Sequence, residues 1–284
     1  MIEITCSIVL YKTPVDQLRK TIESFLSGRQ NVLLYLVDNS PEDLLRYEFI
    51  SPQIEYIFTG RNLGYGAAHN IAIQKAQGVS SYHLILNPDV EFTTDILDEL
   101  ARFVDQRPDI GLVMPKVLYS NGDIQYLCKM LPAPADLFLR RFIPGKIQFM
   151  FKKFMELYEL KNKDYNSIMD IPNLSGCFMF VRTNILAQVG GFDEQYFLYF
   201  EDTDLCRRIN EFARTVYYPR VSIVHGYNKE SYRSYRLLLH HLRSSVQYFN
   251  KWGWFNDRKR VVINRSLEDN TINFQPTHQF ISAI

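Results

Sequence analysis

The chain has 284 residues, of which 46% are hydrophobic and 14% aromatic, enough for one sizeable core. Its formal net charge is +1, so no global field favours nucleic acid as a partner. The cysteines form no CxxC pair, and we expect buried free thiols in a reducing compartment and no zinc site. They are Cys6, Cys128, Cys177 and Cys206.

The N-terminal segment MIEITCSIVLY lacks a basic leader and a cleavage site, which favours a strand over a signal peptide. No apolar run approaches the length of a membrane span. We therefore expect a cytoplasmic protein that is at most peripheral to a membrane.

Apolar β-rich runs alternate with helical apolar spacings from the N-terminus to about residue 114. Strands are predicted over 2–11, 31–37, 54–58, 82–86 and 111–114, with helices from Pro14, after Leu63 and from Thr94. This alternation is typical of βαβ units. The expected fold class is therefore α/β, with a mostly parallel central sheet flanked by helices.

Polar residues follow the predicted strands, where ligands of such sheets bind. Asp38 can accept a hydrogen bond from a nucleobase or a ribose hydroxyl. Asp89 is a hard anion of the kind that holds Mg²⁺ or Mn²⁺ against a diphosphate, and His225, after a later strand, can be a further ligand that favours Mn²⁺. The alternative is that each Asp is a turn residue and the His is structural.

A second acidic group follows the aromatic run 196–200. Glu201, Asp202 and Asp204 stand at the edge of a predicted core, where desolvation can raise the pKa of a carboxyl group towards that of a general base. Alternatively, Asp202 caps a helix over 203–212, with its acidic neighbours near the positive end.

Two further regions have two interpretations each. Residues 117–172 are irregular and interrupted by prolines, which predicts either an acceptor-side insertion or lid, or a poorly ordered surface segment. Residues 231–254 have a helical apolar pattern with many basic residues, which predicts either a membrane surface or a helix that packs on the domain, and we favour the second. A dimer interface is a further alternative. The predicted apolar stripe is Tyr235, Leu238, Leu239, Leu242, Val246 and Phe249.

Four motifs in series resemble glycosyltransferase family 2, in its rhamnosyltransferase-like branch. They are VDNS at 37–40, RNLGYGAAHN at 61–70, NPDV at 87–90 and GGFDEQYFLYFEDTDLCRR at 190–208. The resemblance covers most of the chain and implies a GT-A fold and an inverting transfer of a sugar from a nucleotide donor. One departure is Asn87, which stands where the family's metal motif often has its first Asp.

The resemblance also implies residue roles. Asp202 is the expected catalytic base, and Glu201 orients the base or the acceptor. Asp89 and His225 are the expected ligands of a divalent metal, Mn²⁺ or Mg²⁺. The residues implied to bind or lie near the nucleotide are Tyr11, Asp38, Asn39, Arg61, Asn62, Gly64, Asn70 and Asn87.

The sequence therefore predicts an inverting, metal-dependent hexosyltransferase. Its expected donor is a dTDP- or UDP-sugar (rhamnose-like, galactofuranose or hexose), and its acceptor a glycan or lipid-linked glycan in surface polysaccharide synthesis. The expected division is a domain over 1–228, a helical appendage over 229–265 and a polar tail over 266–284. The alternatives are a non-catalytic binding module and, less favoured, a sugar nucleotidyltransferase, whose glycine-rich phosphate loop is absent after the first strand.

Overall fold

The computed structural model describes residues 2–93, 95–136, 152–226 and 235–268. Parts of the predicted insertion or lid (137–151), of the predicted C-terminal helix (231–234) and of the predicted polar tail (269–284) lie outside those residues. The strands are β1 Ile4–Leu10, β2 Val32–Asp38, β3 Ile54–Phe58, β4 Tyr82–Leu86, β5 Val90–Glu91, β6 Ile110–Leu118, β7 Met169–Asp170, β8 Phe178–Arg182 and β9 Arg214–His225. The helices are α1 Val15–Leu26, α2 Tyr65–Ala76, α3 Asp95–Asp105, α4 Lys152–Tyr158, α5 Thr183–Val189, α6 Glu201–Ile209, α7 Tyr235–Trp252 and α8 Arg258–Glu268.

All the described strands join one sheet in the order β3-β2-β1-β4-β8-β6-β9-β5, and β7 pairs with β9. The first four strands are parallel, β8 is antiparallel to both of its neighbours, and β6 and β9 are again parallel. β1 pairs with β2 on one side and β4 on the other, so the strand order switches at β1. The predicted fold class is confirmed, and the carboxyl ends of β1, β2 and β4 meet at the expected switch point.

The two faces of β1 carry different chemistry because side chains alternate along a strand. Ile4, Cys6, Ile8 and Leu10 join the main apolar cluster together with residues of α1 and α3. The intervening Thr5 and Ser7 face the other way. The four cysteines are buried and unpaired, as the sequence predicts.

Polar side chains form a buried network between β1, β4 and α2. Ser7 Oγ lies 2.7 Å from His69 Nδ1 and 2.8 Å from His83 Nε2, and Thr5 Oγ1 lies 2.8 Å from His83 Nδ1. Burial lowers the pKa of His69 well below its usual value and that of His83 to about 3. Both rings are therefore neutral at physiological pH, and they tie α2 to the sheet through hydrogen bonds.

The C-terminal helices are fastened to α6 by buried polar groups. Arg207 of α6 forms a bidentate ion pair with Asp257, at 2.6 and 2.7 Å, and its guanidinium lies 4.1 Å from the Trp252 ring. Asp204, the fully buried third acid of the acidic motif, accepts hydrogen bonds from Trp252 Nε1 and Lys251 Nζ, both at 2.8 Å. Asp204 is therefore a structural anchor.

The predicted apolar stripe of the C-terminal helix is only partly buried: Phe249 is buried and Leu238 and Leu242 are half-buried, but Tyr235, Leu239 and Val246 are exposed. The buried residues of the helix are Ser244, Ser245, Tyr248 and Phe249. Small serines let the helix approach the loop before α6, and Ser244 Oγ donates to the Leu198 carbonyl at 2.9 Å. Half of the predicted stripe therefore faces away from the domain. The helix ends at Trp252 because Gly253 has a φ of 100°, a conformation that glycine allows. Among the described helices, none combines the length and the hydropathy of a membrane span.

Candidate active site

A cavity of about 800 Å³ opens at the switch point of the sheet. We call one side of it the strand-end wall, made of residues that follow β1, β2 and β4 together with the loop before α2. The opposite side, the helix wall, consists of the turn 175–177 and the segment 197–202 that leads into α6. The volume lies in the range of small-molecule and cofactor sites.

The strand-end wall presents an aromatic ring and several amides. Tyr11 is half exposed at the rim, where its ring can stack on a nucleobase. Asn39 Nδ2 donates to the Gly64 carbonyl at 3.0 Å, and Asn62 Oδ1 accepts from the Gly64 amide at 3.0 Å. The two amides thereby hold the loop in front of α2 against the end of β2.

Asp89 and His225 meet at the floor of the cavity, because β5 pairs with β9 and places Val90 opposite His225. His225 Nε2 lies 3.3 Å from Asp89 Oδ1 and 3.4 Å from Asn87 Nδ2. The predicted pairing of a carboxylate with an imidazole is thus present in the geometry, and both groups are acceptable ligands for Mn²⁺.

Gln125 sets the orientation and tautomer of that imidazole. Its Nε2 donates to two carbonyl oxygens, of Leu118 and His225, which fixes the direction of the amide. Its Oε1 therefore faces His225 Nδ1 at 3.0 Å and must accept a hydrogen bond from the Nδ1–H group. The lone pair of the neutral ring is then on Nε2, which faces Asp89. A divalent cation fits this donor set, and such second partners commonly orient metal-binding histidines. In the described part of the chain no third His, Cys, Asp or Glu joins the group, so a cation held there would need further ligands from a substrate or water.

The helix wall depends on a strained turn. Tyr199 and Phe200 have φ values of 70° and 68°, in the left-handed region that bulky residues rarely adopt. The turn points the first residues of α6 into the cavity. The helix α7 supports the segment that contains this turn, because the His240 ring stacks on the Phe197 ring at a distance of 4.6 Å. Strain of this kind persists only where packing enforces it, and it is common at functional sites.

Asp202 and Glu201 occupy the first turn of α6 in different environments. Asp202 Oδ2 accepts from the Gly176 amide at 3.0 Å and Oδ1 from the Thr203 amide at 2.7 Å. Asp202 is not the helix cap, since the helix begins one residue earlier, after Phe200. Glu201 is buried, and its Oε2 has no hydrogen-bond partner among the described residues. Burial together with Asp202 raises the pKa of Glu201 well above the usual value. Neighbouring carboxyl groups held so differently are suited to separate roles.

Three residues that the sequence assigns to the nucleotide do not line the cavity. Asp38 is buried, with one oxygen bound to the Ser40 amide and the other to the Tyr56 hydroxyl. Arg61 is exposed outside the cavity. Asn70 forms three hydrogen bonds to the loop after α5, two of them to the backbone of Phe192. Asn70 therefore holds that loop against α2, and its assignment to the nucleotide stays a prediction. The other predicted residues line the cavity: Tyr11, Asn39, Asn62, Gly64, Asn87, Asp89, Glu201, Asp202 and His225.

Sequence reasoning missed several residues of the site. Lys12 and Lys129 line the cavity as cations, and Lys129 comes from the irregular stretch after β6. Tyr65 joins the two walls, because its hydroxyl lies 3.0 Å from Asn87 Oδ1 and 2.8 Å from the Gly176 carbonyl. No local pattern marks Gln125 or Lys129. Tyr65 lies within the motif at 61–70 and was within reach of the analysis.

A mixed sheet with a polar cavity at its switch point, lined by acids from the start of a helix, has the arrangement in which open α/β sheets bind their ligands. The family model "Glycosyl transferase family 2" matches residues 6–190. The chain therefore belongs to glycosyl transferase family 2, and the predicted family and glycosyl transfer function are confirmed.

Curated relatives match most of the chain. An N-acetylglucosaminyl-diphospho-decaprenol L-rhamnosyltransferase of Mycobacterium tuberculosis is 25% identical, over 94% of this chain and 91% of the relative. Rhamnosyltransferase WbbL of Escherichia coli K12 is 25% identical, over 92% of this chain and 96% of the relative. The low-salt glycan biosynthesis hexosyltransferase Agl10 of Haloferax volcanii is 26% identical over 72% of this chain.

Solved glycosyltransferases share the fold. GalNAc-T7, crystallised with UDP, GalNAc and Mn²⁺, superposes with a TM-score of 0.63 at 14% identity and covers 100% of this chain, which spans 57% of the GalNAc-T7 chain. The mannosyltransferase PcManGT of Pyrobaculum calidifontis, in complex with GDP-Man and Mn²⁺, superposes with a TM-score of 0.54 at 15% identity, over 99% of this chain and 78% of PcManGT. The GT-A fold predicted from the sequence is confirmed.

Proposed function

We propose that the chain is an inverting, metal-dependent glycosyltransferase that moves a rhamnose-like or other hexosyl group from a dTDP- or UDP-sugar to a glycan or lipid-linked glycan. The observation that carries the proposal is the placement of Asp202 across the cavity from Asp89 and His225. One wall can hold a diphosphate and the other can accept a proton.

Asp202 is the base in this proposal. Its two oxygens are held by backbone amides, so the carboxylate is fixed at the cavity surface before any substrate arrives. An acceptor hydroxyl that enters between the walls gives its proton to Asp202 while its oxygen attacks the anomeric carbon. The bond to the nucleoside diphosphate breaks on the opposite face, which inverts the anomeric centre.

The strand-end wall holds the leaving group. Asp89 and His225 would hold a divalent cation, which when bound stabilises the charge that develops on the leaving diphosphate. Lys12 and Lys129 add positive charge beside the same cavity. Tyr11 is placed to stack on the base. The presence of Mn²⁺ with a nucleotide or sugar nucleotide in GalNAc-T7 and PcManGT supports this arrangement.

Glu201 is proposed to act as a neutral acid at the acceptor side. Burial and the neighbouring Asp202 raise the pKa of its carboxyl group, which favours the form that can donate a hydrogen bond to an acceptor oxygen or position Asp202. The names of the two rhamnosyltransferase relatives support a deoxyhexose donor, and one of them acts on a diphospho-decaprenol-linked sugar. We infer the same acceptor class, and hence work at the inner face of a membrane, for this chain.

The test combines binding and turnover. Thermal shifts with UDP, dTDP, GDP and CDP, each with and without Mn²⁺, identify the nucleotide, because a ligand of the folded state raises Tm. Asp202→Asn should lower kcat by about a thousandfold, within the usual range for a general base, with nucleotide binding unchanged. Asp89→Ala should abolish only the Mn²⁺-dependent part of the shift. A nucleotide shift without turnover on any sugar nucleotide would favour the non-catalytic binding module, and equal turnover by Asp202→Asn would refute the assignment of the base.

A further inference from the structure

The outer face of α7 is an exposed apolar stripe. Tyr235, Leu239 and Val246 are 74%, 48% and 45% exposed. Their spacings of four and seven residues place them on one side of the helix. Apolar side chains that line up on a surface mark an interaction site more often than scattered ones do.

Arginines border the stripe. Arg236 and Arg243 are exposed and lie three residues before and four residues after Leu239, so they flank it on the same side of α7. α8 repeats the arrangement, since Val262 is 67% exposed and stands between the exposed Arg258 and Arg265. We call these eight residues of α7 and α8 the basic apolar face.

The arginines of this face differ from the other cations nearby. Arg207 is paired with Asp257, Lys251 with Asp193 and Asp204, and Lys259 with Glu211. The arginines at 236, 243, 258 and 265 form no ion pair with any residue in the described ranges. The unpaired charge is thus concentrated where apolar side chains are exposed, which suits an anionic and apolar partner.

We propose that the basic apolar face docks on the anionic surface of a lipid bilayer. Exposed apolar side chains enter the headgroup region and arginines pair with anionic headgroups, as in interfacial amphipathic helices. The same helix supports the helix wall through His240 on Phe197, so docking would bring the acceptor side of the cavity close to the membrane. This last step rests on the proposed function, whose acceptor is lipid-linked.

A second copy of the chain fits the basic apolar face less well than a lipid surface does. Pairing of this face with itself about a two-fold axis would bring arginines against arginines, and like charges across an interface are unfavourable. The charge pattern therefore favours a lipid surface.

The experiment is flotation of the full chain with vesicles of phosphatidylglycerol and phosphatidylcholine, compared with phosphatidylcholine alone. We expect binding to the anionic vesicles that weakens with salt. Arg236→Gln and Arg243→Gln should each lower the partition coefficient by about fivefold, the usual contribution of a basic residue at such a surface. Leu239→Glu with Val246→Glu should abolish flotation. Ile50→Glu, at an 82% exposed apolar residue outside the face, is the matched control and should float normally.

Several outcomes would overturn the proposal. They are absence of flotation, equal binding to neutral vesicles, or flotation that survives all four substitutions. Sedimentation of a dimer that Leu239→Glu and Val246→Glu convert to monomer, without vesicle binding, would assign the face to a second copy. Nucleotide-dependent thermal shifts, measured on the same variants in solution, should be unchanged, so failure of the lipid surface and failure of the proposed function are distinguishable.

Discussion

The two walls of the cavity are built in different ways. The strand-end wall rests on three neighbouring parallel strands whose ends meet by sheet register alone. The helix wall rests on the turn at Tyr199 and Phe200, which long-range packing against α7 holds in a left-handed conformation. The first wall is a product of regular structure, whereas the second depends on residues about 40 to 60 positions later in the chain, among them Ser244, Trp252 and Asp257.

The two walls are therefore suited to different tasks. A rigid sheet edge suits a group that must only be held, such as a nucleotide. A wall that is enforced by packing can place two carboxyl groups, those of Asp202 and Glu201, where local structure alone would not put them. Damage to the C-terminal helices should therefore affect the helix wall before the strand-end wall.

The strongest test breaks the anchor of the helix wall. Asp257→Ala leaves the buried Arg207 without its carboxylate partner, which should lower the free energy of unfolding by about 3–5 kcal/mol. Urea denaturation measures the loss. Glu211→Ala removes the exposed ion pair with Lys259, which joins the same region to α8, and should cost less than about 1 kcal/mol. Equal effects would show that Asp257 has no special anchoring role.

A second test acts where the two walls touch. Gly64 has a φ of 91°, and a Cβ there would overlap the Phe197 carbonyl oxygen and lie 3.0 Å from the Phe197 Cα. Gly64→Ala should destabilise the protein by about 2–3 kcal/mol and weaken nucleotide binding. Gly78→Ala has similar backbone strain, with a φ of 73° and no heavy atom within 4 Å, and should cost only about 1 kcal/mol. Chemical denaturation of both variants separates overlap from strain, and a Gly64 variant no worse than the control would exclude the overlap.

Low pH should reduce the free energy of unfolding through His83 of β4, one of the strands that carry the strand-end wall. The pKa of His83 is about 3 in the folded protein, below its unfolded value, so the unfolded state binds a proton first as pH falls. The contribution of His83 to the free energy of unfolding is nearly complete above about pH 6.5 and declines below it. At about pH 5.5 the loss is about 1.4 kcal/mol. Unfolding curves between these pH values measure the slope, which should be shallower in His83→Gln. An unchanged slope in that variant would contradict the assignment.

The test with the smallest expected effect concerns the proposed metal site of the strand-end wall. Gln125→Leu removes the acceptor for His225 Nδ1 and should weaken Mn²⁺ binding by about tenfold, as loss of such a partner usually does. Gln125→Glu keeps an acceptor and should retain most of the affinity. Titration of Mn²⁺ in the presence of nucleotide, followed by calorimetry, compares the two. Equal losses would mean that the backbone bonds of Gln125, and not the tautomer of His225, are its contribution.

The sequence by itself determined the alternating strands and helices and the polar residues after β1, β2 and β4, because hydrophobic periodicity and turn residues are local signals. It also marked Asp202 and Asp89 through motifs, and His225 as the residue that follows a later strand. For Asn70, a motif position does not reveal that the loop after α5 already takes up its amide.

Only the tertiary structure decided which face of α7 is buried, since the choice depended on two serines and two aromatic rings that meet the loop before α6. The tertiary structure also brought Gln125 to His225, 100 residues away. It buried Glu201 beside Asp202, where no group in the described part of the chain forms a hydrogen bond with its Oε2. Hydrogen-bond partners and desolvation are properties of long-range packing, and a single sequence read by local periodicity contains no signal for them.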